Sequence, residues 1–272
     1  MWGVPCQMDE IVKICKNRNL LLLEDCSHAH GARFKNKVVG SFGDLAAWSL
    51  QGAKIISGGE GGVITTNNKE FYYKILLLGQ YNKRCKQEID KNHKLYKYAT
   101  TGMGLKFRSH PLAVCIAYEM FRNIERLLKV KRVFAKKMIN AFSAFACITL
   151  PPAFKDIRYQ PAWYGFVVQY KYDDPKIDKF FDALQAEGLV EVDRPGSTCP
   201  LNLLPLFQNP TDLFPAYKKD CFSYKLGDFP KAEKFYKFAI KLPVWAFVKD
   251  LAMVNAYIRG FKKVVENLDQ LK

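Results

Sequence analysis

The sequence predicts an α/β protein in two domains, 1–140 and 141–272, and three observations carry that prediction. The run from Leu20 to Glu24 is too brief and too leucine-dense for a surface helix, so it reads as a short buried strand with Asp25 just past its carboxyl end. Leu45 to Leu50 reads as a second strand, and Lys54 follows within a few residues, ahead of Gly58, Gly59, Gly61 and Gly62. Helical spacing brackets these strands, and the helical run through the middle of the chain stops at Leu150-Pro151-Pro152, near the domain boundary.

Each element follows from local pattern. Met8, Ile11, Val12 and Cys15 share one face of a helix over Met8 to Asn17, which delivers the chain into the first strand. Ser27-His28-Ala29-His30-Gly31 is too short for a helix and closes on glycine, so it forms a loop at the strand tip. Arg33 to Val39 reads as a small hairpin with Asn36-Lys37 at its turn, and Gly40 to Asp44 as another turn. The glycines beyond Lys54 allow positive φ and close backbone approach, before a returning strand over Val63 to Thr66. Asn67-Asn68 starts a helix over Glu70 to Leu78 with Phe71, Ile75 and Leu78 inward, and Gln80 to Thr101 reads as a long polar, aromatic loop.

His110-Pro111 opens the longest helical pattern, its inward face marked by Leu112, Cys115, Ile116, Met120, Ile124, Leu127 and Leu128. In the second domain Tyr164 to Tyr172 alternates as a strand, Lys176 to Glu187 is a helix closed by Gly188, and Leu189 to Val192 is a strand. Pro200 to Pro215 is proline-punctuated and irregular. Helices near Ala232 to Ala239 and Lys249 to Leu268 bracket the Leu242-Pro243-Val244-Trp245 turn.

Composition narrows the class. At 272 residues and 49% hydrophobic content the chain can bury a real core. No run of about eighteen apolar residues is present to span a membrane, and the first residues lack the basic and apolar regions of a secretion signal, so a cytoplasmic location is expected. Eight cysteines, Cys6, Cys15, Cys26, Cys85, Cys115, Cys147, Cys199 and Cys221, form no C-x-x-C pair and read as reduced small hydrophobes rather than as a metal site with the histidines. The net charge of +16 is spread along the chain, as on solvated helix faces, and no nucleic-acid motif accompanies it. One denser basic run, Lys83 to Lys97, lies among Tyr81, Tyr96 and Tyr98. It is either a basic surface loop or an attractor for an anionic ligand such as a nucleotide-linked sugar.

The residues at the two strand ends point to a particular chemistry. Open α/β sheets place ligands at the carboxyl ends of their strands, where Asp25 and Lys54 converge. A lysine beside apolar walls loses its proton more readily and forms a Schiff base with an aldehyde. Pyridoxal 5'-phosphate uses such a pair: the amine holds its aldehyde carbon, and an ionised carboxylate keeps its ring nitrogen protonated. Two histidines two positions apart share a side in an extended segment, so spacing leaves His28 and His30 equivalent.

EDCSHAHGARFKNKVVGSFGDLAAWSLQGAKIISGGEGGVITTN resembles the core of the DegT/DnrJ/StrS sugar aminotransferases, of the aspartate aminotransferase-like fold type I. MGLKFRSHPLAVCIAYEMFRNIERL, EGLVEVDRPGS and FAIKLPVWAF are similar to later family segments. The resemblance implies Lys54 and Asp25 as the catalytic pair, Ser49 on the cofactor phosphate, and His28, where many members carry Gln, near the ring hydroxyl. It also implies that Lys106, where many members carry Asn, reaches the phosphate of the neighbouring subunit of a homodimer. His30 is then a packed residue.

The opening MWGVPCQMDEIVKICKNRNLLLLED is similar to the middle of a family member, so an N-terminally truncated large domain is expected over 1–140, with an α+β small domain over 141–272. The implied reaction moves an amino group from glutamate or glutamine to a keto-sugar, nucleotide-linked, or to a keto-cyclitol. The alternatives are a non-catalytic remnant or interaction subunit of the same fold, and a pyridoxal-phosphate sugar dehydratase, whose members carry His where this chain has Lys54.

Overall fold

A computed structural model of the chain describes residues 1–151, 156–172, 176–196, 199–217 and 224–271. The chain forms two compact units, Met1–Lys129 with Asp156–Tyr164, and Val130–Lys155 with Gly165–Lys272. Pro152, Ser197 and Cys221 of the sequence reading lie outside the described residues.

In the first unit α1 (Met8–Asn17) carries Asp9 and Glu10 in its first turn and Lys16 in its last, charges that complement the helix dipole. It leads to β1 (Leu23–Asp25), the hairpin β2 (Arg33–Phe34) and β3 (Lys37–Val38), then β4 (Leu45–Ser49) and β5 (Gly62–Thr65). β1 and β4 are parallel, with Leu23 opposite Leu45 and Asp25 opposite Ala47, and β5 returns antiparallel to β4. The sheet order is β1-β4-β5, so β1 and β5 are its outer strands. α2 (Lys69–Gly79) is capped by the Asn68 side chain, which accepts from the N–H groups of Glu70 and Phe71. α3 (Lys83–Glu88) follows, then α4 (Pro111–Arg122), where His110 Nδ1 accepts from Leu112 N–H and Pro111 occupies the first helical position.

α5 (Ile124–Phe142) carries the chain from the first unit into the second. After β6 (Ile148–Thr149), β7 (Tyr159–Gln160) returns to the first unit and joins the hairpin in the order β3-β2-β7. The second unit continues with β8 (Phe166–Tyr170), α6 (Lys176–Ala186), α7 (Pro205–Gln208), α8 (Pro230–Phe238), β9 (Ala239–Leu242) and α9 (Leu251–Glu266). Its sheet runs β6-β8-β9, all antiparallel, and its core is aromatic: Phe142 stacks on Phe261, while Phe166 and Phe180 meet those two rings edge-on.

Several sequence expectations need correction. β1 begins at Leu23 rather than Leu20, and it is an outer strand with Leu20, Leu21 and Leu23 exposed instead of a buried one. The hairpin turns at Lys35 and Asn36, both at positive φ, with Lys37 already paired to Phe34. α2 buries Tyr73, Leu76 and Leu77, one step round from the expected face, and Leu78 is exposed. Gln80 to Thr101 is not an open loop: Cys85, Ile89 and Ala99 pack with Tyr73, Leu76 and Leu77, around α3 and a 3-10 turn at Tyr96–Tyr98. The long helix is divided at Asn123, and Leu112, Cys115 and Ile116 are exposed while Ala117, Leu127 and Leu128 are buried. Leu189 to Val192 forms a turn, closed by Val192 N–H to the Leu189 carbonyl, that buries Leu189 and Val192 and leaves Val190 exposed, and backbone pairing begins only at Asp193 with Lys241.

Candidate active site

The parallel register of β1 and β4 decides where the functional groups emerge. Asp25 ends β1 opposite Ala47, and the next backbone N–H, that of Cys26, donates to the Ala47 carbonyl at 2.8 Å. Ser49 ends β4, so Lys54 leaves the sheet on the same carboxyl edge. The loop bearing it is closed at its base: Leu50 N–H donates to Gly61 O and Gly58 N–H to Leu50 O, both at 2.9 Å. Ile55 and Ile56, directly after the lysine, are buried in two hydrophobic clusters and anchor it from the other side. Gly58 permits this return, because a Cβ there would lie 2.6 Å from the Ala113 carbonyl oxygen.

Asp25 accepts from the Ser27 hydroxyl at 2.5 Å and from the Ser27 N–H at 3.0 Å. These bonds, the hydroxyl first, hold its carboxyl below the usual aspartate range, and the charges of His28 and Lys54 act in the same direction. His28 is half-buried and its imidazole is pushed down to about 4, by burial first and by the Lys54 charge second, so it is neutral at physiological pH. Its ring stacks on Tyr164 at 4.0 Å and 11°, and Trp2 stacks on both. Lys54 Nζ lies 4.8 Å from the centroid of the Tyr164 ring.

Asp25, His28 and Lys54 therefore form one electrostatically linked group. His30 is buried against Trp48, its pKa also lowered to about 4, chiefly by burial. The Ser49 backbone faces its ring, yet neither ring nitrogen reaches hydrogen-bonding geometry. Ser49 itself is half-buried, and its hydroxyl accepts from Gln51 N–H at 3.3 Å. Lys106 stands apart on the exposed stretch ahead of α4, with its ammonium 5.0 Å from the Tyr81 ring. Cys26 is buried beside Asp25 with its thiol pushed up to about 12, chiefly by burial, which makes it unreactive. Among the described residues no cluster of His, Cys, Asp or Glu is placed to hold a metal, and no helix is long and apolar enough to cross a membrane.

Two residues of this region escaped the sequence reading. Tyr164 read only as the first residue of an alternating strand, far along the chain. Glu24 read as strand, yet it is a buried carboxylate accepting from the N–H groups of Gly40, Phe42 and Gly43, each at 2.7 Å. Its position one residue before the catalytic candidate was the available signal, since an acid inside an apolar strand needs donors.

The mixed α/β fold, with a carboxylate and a lysine at the carboxyl ends of adjacent parallel strands where such sheets bind ligands, is that of the pyridoxal-phosphate-dependent transferases of fold type I. The chain belongs to the DegT/DnrJ/EryC1/StrS aminotransferase family, whose model matches residues 1–256. It is similar to the spore coat polysaccharide biosynthesis protein SpsC of Bacillus subtilis, 27% identical over 273 residues, 98% of this chain and 65% of that protein. Its fold is similar to that of an aminotransferase from Psychrobacter cryohalolentis, with a TM-score of 0.79 and 21% identity, covering 97% of this chain and 66% of the other. It is also similar to E. coli GDP-4-keto-6-deoxy-D-mannose-3-dehydratase with bound hydrated PLP, with a TM-score of 0.76 and 21% identity over 96% and 65% of the two chains. The chain thus spans about two thirds of the length of the proteins it matches.

Proposed function

We propose that this chain carries the lysine and carboxylate of a pyridoxal-phosphate-dependent aminotransferase that moves an amino group from glutamate or glutamine to a keto-sugar, nucleotide-linked. The observation that carries the reading is the convergence of Asp25, His28 and Lys54 at the carboxyl ends of β1 and β4. The donor set fits the cofactor chemically: a half-buried primary amine, an ionised carboxylate, a neutral imidazole and a serine hydroxyl. When bound, the cofactor supplies an electron sink for the carbon that gives up or receives the amino group.

The residues divide the remaining work. Lys54 would hold the cofactor through its aldehyde, and its amine, when free, would serve as the general base and acid for the proton at the reacting carbon. Asp25, kept ionised by Ser27, would accept a hydrogen bond from a protonated ring nitrogen. His28, neutral, can donate from one nitrogen and accept at the other, as a ring hydroxyl requires. Ser49 offers its hydroxyl to the phosphate, and Lys106 serves the phosphate of a second subunit in a homodimer. Donor and acceptor use the site in turn, so ping-pong kinetics follow. The sugar and polysaccharide chemistry in the relatives' names supports a keto-sugar acceptor, and Lys54 supports aminotransfer over the dehydratase alternative.

A second reading is a fold-only subunit that does not retain the cofactor. It is motivated by the exposure of Asp25 and by the position of its strand, β1, at the outside of the sheet. One experiment separates the two readings. Incubation with pyridoxal phosphate, borohydride reduction and peptide mass spectrometry should place a stable adduct on Lys54, with the visible absorption of the bound cofactor, and both should vanish in Lys54→Ala. Absorption that persists in Lys54→Ala, or an adduct confined to other lysines, removes Lys54 from this role.

A further inference from the structure

Tyr164 belongs to no sequence motif discussed above, yet the fold brings it onto the proposed lysine. Among the described residues most ammonium–ring contacts join near neighbours in sequence, such as Lys37 with Phe42, Lys69 with Tyr73 and Lys97 with Tyr98. Such pairs need no tertiary structure. The contact between Lys54 and Tyr164, at 4.8 Å, joins the loop after β4 to the segment ahead of β8 and exists only because the chain folds.

The ring is held from three sides. His28 lies flat against it at 4.0 Å, and Trp2 backs both rings. Gly3 locks the backbone, with a φ of +86°, and a Cβ there would fall 2.8 Å from the backbone nitrogens of Trp163 and Tyr164 and 2.9 Å from the His28 carbonyl oxygen. Ala162 N–H donates to the Gly3 carbonyl at 2.8 Å. Trp2 and Trp163 both sit at positive φ, 59° and 54°, a conformation unfavourable for large side chains that persists only where the surroundings impose it. Three separate stretches of chain thus close around one tyrosine.

We propose that Tyr164 is a positioning residue for Lys54 and His28: its π face holds the lysine amine at the strand ends through cation–π attraction, and its other contacts fix the imidazole plane beside it. The consequence for the aldehyde rests on the proposed role of Lys54, whereas the restraint on the amine does not. A tethered amine meets an incoming aldehyde from one direction and loses less freedom on bonding it. The phenol hydroxyl has no part in this, so phenylalanine should serve and leucine should not.

Two measurements on Tyr164→Leu and Tyr164→Phe test it, with circular dichroism confirming the fold and Tyr164→Met standing in if leucine is not accommodated. The first needs no cofactor: trace acetylation with acetic anhydride, read at Lys54 by mass spectrometry. Tyr164→Leu should react about three- to thirty-fold faster than wild type, the range expected for losing one cation–π contact, with Tyr164→Phe unchanged. In the second, the pyridoxal phosphate concentration giving half-maximal borohydride-trapped adduct on Lys54 should rise by a similar factor in Tyr164→Leu alone. Equal acetylation of Lys54 in wild type and Tyr164→Leu, or a Tyr164→Phe that behaves as leucine does, overturns the positioning role. If wild type traps no cofactor on Lys54, the proposed function falls and the acetylation rates still decide the place of Tyr164.

Discussion

Along β1 the side chains alternate, so Glu24 points into the fold while Asp25 is left at the edge where Lys54 stands. Glu24 is 6% exposed and satisfies three backbone donors of the turn between β3 and β4, a structural role beside the edge-facing Asp25. Glutamine in its place keeps one acceptor oxygen and turns an NH2 group toward N–H groups that need an acceptor. Glu24→Gln should therefore lower stability by about 2–3 kcal/mol, as for the loss of charge-assisted buried hydrogen bonds. The readout is the urea midpoint, and an unchanged midpoint would show that the turn does not depend on the carboxylate. That Asp25 and Lys54 lie at neighbouring strand ends was legible from the apolar runs ahead of them, whereas spacing left His28 and His30 equivalent and only the family resemblance separated them. Tyr164 was not legible, since nothing local distinguishes an aromatic that closes on a distant lysine from one that begins a strand.

Elements were legible wherever periodicity coincided with a cap or a breaker. α1 and α2, and the start of α4, lie close to their expected positions, and β4 and β5 sit where the apolar runs around Lys54 placed them. The failures share one cause: an apolar pattern marks a face that prefers cover, without saying what covers it. Leu112 and Ile116 keep helical spacing yet stay exposed, and Leu189 to Val192 makes a turn that packs Leu189 and Val192 while Val190 stays outside. α5 shows the reverse case, a lysine on a buried face. Lys131 is buried and donates to the Val244 carbonyl, and burial lowers its pKa to about 8 from 10.5. Between those values the unfolded chain holds a proton that the folded chain has released, so stability rises with pH across the window. Below about 8 the folded state carries the full cost of the buried charge. Wild-type denaturation midpoints should climb from pH 8 to 10.5, and Lys131→Met should remove that climb. A slope that survives the substitution must come from other groups.

At the scale of the whole molecule the surface combines two opposing tendencies. A net charge of +16 keeps molecules apart, while among the described residues the outer strands of the three-stranded sheet pair with no further strand and carry apolar side chains. Leu20, Leu21 and Leu23 flank one edge and Val63 and Ile64 the other, with Leu21 69% and Ile64 53% exposed. Beside β5 lies a hollow of about 1360 Å³, walled by residues such as Ile64, Ile75, Phe107 and Leu112, and Lys54 does not line it. An apolar hollow next to an open strand recruits chain whenever repulsion is screened, and at a salt concentration near 1 M the screening length shrinks to about 3 Å. The 272-residue chain should therefore associate in high salt, with a scattering mass that grows with protein concentration. Ile64→Lys puts a charge on the open strand and should hold the mass near that of one chain under the same conditions. Being exposed, the substitution should change folding stability by no more than about 0.5 kcal/mol. Association that is equal in the variant, with its stability intact, would place the sticky surface elsewhere than β5, and the exposed leucines ahead of and within β1 are the next edge to charge.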